Sequence, residues 1–178
     1  MEVNIDVQPA DTIERLLTAC NGRLAETGGY YKPFVGSAGA ATIAITDDDI
    51  AISDEQTFSP FFSIGESING VTASFLSPSE GWVLKDIPPL YNTTYEQEDD
   101  GRRLLADVTY DMVSSKTQAQ RLTKAALKEA RRARRHTFVL TGGAVTTEPL
   151  DFLQFDSVRN GYVAKLFRVD GVTYRSNL

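Results

Sequence analysis

The stretch from Ser114 to Leu140, SSKTQAQRLTKAALKEARRARRHTFVL, most constrains what this chain can fold into. Ser115 followed three residues later by Gln118 forms a capping box, so a helix is expected to start there and run over about 115–135. Ala119, Leu122, Ala126, Ala130 and Ala133 recur at intervals of three and four. This narrow stripe of mostly small side chains lets a helix axis lie close against a sheet or another helix. The remaining faces carry Lys116, Arg121, Lys124, Lys128, Arg131, Arg132, Arg134 and Arg135 against a single acid, Glu129. Three readings of that basic face stand side by side. It is a solvated face whose long stems cover apolar neighbours, a partner for the acidic runs Asp47–Asp49 and Glu96–Asp100 within or between subunits, or a grip for nucleic acid. The third is disfavoured by a net charge of −6 and by the lack of aromatic residues interleaved with the basic ones.

A second helix is expected over about 11–27. Asp11 and Glu14 stand at its start, Ile13, Leu16, Leu17, Cys20 and Leu24 form its buried stripe, and Gly28-Gly29 closes it. Strands are expected at Val3–Val7, in YYKPFVG, ATIAI, GVTASFLS, RLLADVTYDMV and HTFVLTG, and in a closing meander with Asn160-Gly161 and Asp170-Gly171 as hairpin turns. These elements define an α+β chain of mixed or antiparallel sheets with two principal helices. A linear division follows: an N-terminal α+β part at 1–78, an irregular acidic, proline-containing loop at 79–103, and a strand–helix–meander part at 104–178, standing as separate parts or joined in one composite domain.

The chemistry-bearing residues are few. His136 is the single histidine and Cys20 the single cysteine, so a catalytic triad, a zinc site and an internal disulfide all lack members. Both residues read as packed structural groups. The acidic runs lack the alternating spacing of a calcium loop, and TGGAVT lacks the lysine of a phosphate-binding loop. Carboxylates abound, but nothing in their spacing selects a glycosidase pair. The chain therefore reads as a non-enzyme without cofactor or metal. The acidic start MEVNIDVQPAD does not read as a signal peptide, and no apolar run is long enough to be expected to insert in a membrane. Candidate interface residues are Phe58, Phe61 and Phe62 in TFSPFFSI, then Trp82, Ile87, Leu90 and Tyr91 in the long loop, with Arg131, Arg132, Arg134 and Arg135 at the helix end.

Four stretches taken in order carry a resemblance: IERLLTACNGRLAETGGYYKPFVG, NGVTASFLSPSEGW, YEQEDDGRRLLADVTYDMVSSKTQAQRLTKAALKEARRARRHTFVL and SVRNGYVAKLFRVDGV. The third has an acidic-Gly turn and an extended D-V-x-Y stretch leading into an Ala-Gln-Arg helix that ends in arginines. Together the stretches resemble the tail-tip and baseplate-hub proteins of phages, a family that includes the host-specificity proteins of long non-contractile tails and the hub of gene transfer agents. The resemblance implies a virion structural protein, synthesised in the host cytoplasm, with barrel-like hub modules and inserted domains. It implies a homotrimer or larger tail-tip assembly that closes the distal end of the tail tube and takes part in host attachment. Its partners would be tube and distal tail proteins and a central fibre. Family members are commonly far longer, so a chain of 178 residues is expected to be one domain of such a protein or a short hub component. A tail-associated cell-wall hydrolase is the alternative, because tail tips often carry lytic domains. A nucleic-acid-binding module using the basic helix ranks below it.

Overall fold

The computed structural model describes residues 8–52, 54–61, 67–132, 134–141 and 146–174. The strand expected at Val3–Val7 lies outside the described residues, as do Phe62 and Ala133. Chain contacts gather into two compact units, Met1–Gly22 with Ser59–Arg134 and Arg23–Phe58 with Arg135–Leu178. This division cuts across the linear one drawn from the sequence, because each unit is built from two separate stretches of chain.

The first unit is a helix-covered sheet. Helix α1 (Pro9–Cys20) opens it. The sheet is built from β5 (Gly70–Ser77), β6 (Val83–Tyr91) and β7 (Leu105–Tyr110), in the order β6-β5-β7. β6 runs antiparallel and β7 parallel to the central β5. A short helix α2 (Thr93–Glu98) connects β6 to β7. Helix α3 (Lys116–Ala130) packs on β5 and β6. Strand periodicity explains the core. Val71, Ala73 and Phe75 alternate along β5 onto one face. There Ala73 and Phe75 join Ile87, Tyr110, Val113, Ala119 and Leu122 in one buried cluster. Ala119 is fully buried, and a bare methyl at this point brings α3 close to the sheet.

The second unit contains β1 (Arg23–Thr27) to β4 (Thr57–Ser59) and β8 (Arg135–Thr137) to β10 (Tyr162–Arg168), and among its described residues it has no α-helix. β1 pairs with β2 (Tyr30–Phe34) as a hairpin. β3 (Ile43–Thr46), β9 (Phe152–Ser157) and β10 form a sheet in the order β10-β9-β3, antiparallel between β10 and β9 and parallel between β9 and β3. β4 pairs with β8. The core here is aromatic. Phe155, 1% exposed, packs with Ile45, Ile50, Leu153 and Tyr162, and Phe138 and Phe167 flank them. The single histidine lies among these rings. His136 stacks on Phe58 at 4.3 Å, meets Phe155, Tyr162 and Phe167 edge-on, and shares a hydrogen bond of 3.1 Å between Nε2 and the Tyr162 hydroxyl.

The architecture is α+β with mixed sheets, and no sheet closes into a barrel among the described residues. Four local expectations are corrected. Helix α1 ends at Cys20, not near residue 27: Asn21 takes a left-handed conformation (φ 51°) and the Gly22 N–H returns to the Leu17 carbonyl at 2.7 Å. Gly28 and Gly29, with φ of 58° and 82°, then form the hairpin turn between β1 and β2 instead of capping a helix. The region 79–103 is not irregular, since β6 and α2 occupy most of it. Helix α3 stops at Ala130, and Arg135–Thr137 is a strand. Beyond Ala130 the Arg131 guanidinium turns to Glu98 and Asp99, and these ion pairs hold the chain where the helix ends.

Candidate assembly surfaces

Helix α3 displays two unlike faces. Ala119, Leu122, Thr123 and Leu127 are buried against the sheet, with Ala126 and Ala130 half-buried beside them. Thr123 and Leu127 were absent from the sequence stripe. The threonine is accommodated because its hydroxyl donates to the Ala119 carbonyl at 2.8 Å within the helix. On the outer face Lys116, Arg121, Lys124 and Lys128 are exposed.

The arginines beyond the helix have different fates. Arg131 folds back onto the acidic turn after α2. Its Nη1 reaches both carboxylate oxygens of Asp99 at 2.9 and 3.1 Å, its Nη2 reaches Glu98 at 2.8 Å, and its guanidinium lies 4.6 Å from the centre of the Tyr95 ring. Both Arg131 and Asp99 are largely withdrawn from solvent, so this pair fixes the end of α3 rather than presenting charge. Burial opposes its charged form, but the Glu98 and Asp99 carboxylates outweigh burial and raise its proton affinity further. Arg132 is exposed and pairs with Glu129 at 2.9 Å. Arg134 and Arg135 are exposed, the latter at the first position of β8.

Sequence reasoning missed the organiser of this turn, Asn69. It is completely buried, donates from Nδ2 to Asp99 at 2.9 Å and to the Arg102 carbonyl at 2.6 Å, and accepts from the Leu104 N–H at 2.8 Å. Its partners lie about thirty residues away along the chain, so no local pattern announces it.

The apolar candidates divide. Trp82 is 59% exposed and holds a positive φ of 64°, a conformation that costs about 1–2 kcal/mol for a residue with a side chain. Its N–H bonds to the Ser77 carbonyl at 2.9 Å, closing the tight turn that points the chain into β6. Val83 and Leu84 follow, also exposed, on the free edge of that sheet. Ile87, expected at an interface, is a core residue only 4% exposed. Alternation along β6 turns it inward opposite Ala73. Leu90 is half-buried, and Tyr91 is partly exposed beneath the Arg103 guanidinium, 4.2 Å from its ring centre. Phe61 is 81% exposed, whereas Phe58 uses one face of its ring against His136. Cys20, expected in a buried stripe, is exposed, as are Ile13 and Leu16 on the same helix.

In the second unit the acidic run serves local structure in part. Asp47 accepts from the Ser157 hydroxyl at 2.7 Å and from the Arg159 N–H at 3.3 Å, and these donors hold its carboxyl below the usual range. Asp49 accepts from the Thr46 N–H and hydroxyl. Asp48, Asp54 and Glu55 remain exposed, and Ile52 between them is 83% exposed. Among the described residues no three His, Cys, Asp or Glu side chains gather as a metal-ligand set, and no helix is long and apolar enough to cross a membrane.

No family model matches the chain, and no curated protein matches it. Solved structures do. A chain of the native gene transfer agent virion superposes with a TM-score of 0.73 at 15% identity, covering 96% of this chain and 37% of that one. The fold is shared with a virion chain. The 43 kDa tail protein of prophage MuSo2 from Shewanella oneidensis superposes with a TM-score of 0.54 at 13% identity, covering 96% of this chain and 51% of its own. The present chain thus spans about a third and about half of these two proteins.

Proposed function

We propose that this chain is a structural module of a phage-type tail, acting in the hub at the distal end of the tail tube rather than as an enzyme. The observation that carries this reading is the superposition on a gene transfer agent virion chain over 96% of the sequence at a TM-score of 0.73. The ordered stretches that resemble tail-tip and hub proteins support the same reading independently of coordinates. The surfaces fit it as well. A strained, exposed Trp82 followed by Val83 and Leu84, and a basic helix face, suit contacts with neighbouring subunits. Trimeric or larger assembly, docking to distal tail proteins and a role in host attachment belong to this proposal.

Gene deletion with complementation tests it. Loss of the gene should leave tails that are absent or unfinished at one end, and a plasmid-borne copy should restore them. Complete, infective particles from the deletion strain would overturn the proposal.

A further inference from the structure

We propose that the basic face of α3 docks on the acidic residues Asp48, Asp54 and Glu55 of a second copy of this chain, which makes the contact between copies head-to-tail. The inference rests on the hub reading above and names the surfaces it would use. Arg121, Lys124 and Lys128 lie at intervals of three and four and span about 10 Å along the helix. All three are exposed, and none has an ion-pair partner among the described residues. This separates them from the neighbouring Arg131 and Arg132, which acids of their own unit neutralise. The second unit carries the matching surplus. Asp48, Asp54 and Glu55 are exposed and likewise lack an ion-pair partner among the described residues, while Asp47 and Asp49 in the same run are engaged locally.

Unpaired cations on one unit and unpaired acids on the other are complementary between copies. Because the two patches differ, the contact is heterologous, and repetition of a heterologous contact closes a ring when its rotation allows. Ile52, nearly fully exposed among the acids, supplies an apolar anchor, and the methylene stems of the lysines and arginine offer it an apolar floor. Exposed ion pairs are individually weak. The charges therefore set partner choice, register and salt sensitivity, while the buried apolar area supplies most of the affinity.

Native mass spectrometry and light scattering of the full chain test this at low and high salt. The parent should assemble at low salt and dissociate as salt rises. Replacing Arg121→Glu, Lys124→Glu and Lys128→Glu together should weaken self-association about tenfold or more. Asp48→Lys, Asp54→Lys and Glu55→Lys together should do the same. Combining all six changes in one chain should restore assembly, which also shows that the changed surfaces fold. A parent that stays monomeric at low salt overturns the proposal, as do triple variants with parental assembly. Weakening without rescue would assign the basic face to a different acidic protein. Binding of duplex DNA through the row by a monomeric chain would assign it to nucleic acid. Either result also overturns the proposal. A chain essential for tail completion that fails this mass test would retain the hub role and lose this interface.

Discussion

The two units solve the same problem by different means. Each has a three-stranded sheet whose central strand, β5 or β9, has one antiparallel and one parallel neighbour. The first unit covers its sheet with a helix whose contact face is small, Ala119 and Thr123, beside Leu122 and Leu127. The second has no α-helix among its described residues and fills the space with rings, Phe155, Tyr162, Phe167, Phe138 and His136. A helix-covered sheet is sensitive to added bulk or charge where helix and strand nearly touch. An aromatic cluster is sensitive to removal, because each ring occupies a large volume and touches several others.

Substitutions can break this comparison. Ala119→Glu places an unpaired carboxylate at a fully buried helix–sheet contact and is expected to cost about 3–5 kcal/mol. Ala126→Glu, at a half-buried position, should cost clearly less. Denaturant melts of both variants check the difference, and equal costs would mean that α3 is rotated from the orientation described. Phe155→Ala should cost about 3–4 kcal/mol by opening a cavity in the second unit. Hydrogen exchange should then rise in β3, β9 and β10 more than in β5 and β7. A uniform rise across both sheets would show that the units unfold as one.

Asp99→Ala tests the polar side of the first unit. It removes the main partner of Arg131 and one acceptor of the buried Asn69, and a loss of about 2 kcal/mol is expected. Equilibrium unfolding measures it, and Arg131→Ala combined with Asp99→Ala should cost less than the sum of the two single changes.

The smallest effect is a pH dependence confined to the second unit. Lys32 bonds Asp151 at 2.7 Å and Glu148 at 3.1 Å, and the Glu148 N–H bonds Asp151 at 3.0 Å. Burial alone would raise the Asp151 carboxyl, but the ammonium and the N–H outweigh it and hold it below the ordinary range. A depressed carboxylate contributes stability that is present above its unfolded value, about pH 4, and is lost as pH falls through the lower folded value. The melting temperature should therefore drop in acid, and Asp151→Asn should flatten that drop while lowering stability at pH 7. An unchanged acid slope in the variant would remove Asp151 from the account.

The same contrast explains what was legible in the sequence. Elements specified by local pattern could be read directly. The alternating GVTASFLS gives β5, Ser115 with Gln118 starts α3, and Asn160-Gly161 turns the β9–β10 hairpin. Errors arose where one signal serves two structures. Gly28-Gly29 suits a helix end as well as a hairpin turn, and only the pairing of Arg23–Thr27 with Tyr30–Phe34 decides between them. The interlaced units, the buried Asn69 and the rings around His136 depend on residues far apart in the chain, so no window of sequence contains them. The exposure of the candidate residues was legible in part for the same reason. Trp82 and Phe61 are exposed, but the inward turn of Ile87 follows from strand phase within a region read as loop, and the neutralised state of Arg131 follows from a distant acidic turn.

We propose that this fold serves as a hub module of a tail. Cryo-electron microscopy of particles assembled from the native locus, with a tag on this chain, tests it most directly. Tag density is expected at the distal end of the tail tube, at a stoichiometry set by a ring, with the β6-β5-β7 sheet and α3 recognisable in the map. Tag density confined to the head, or particles that contain none of this chain, would contradict it.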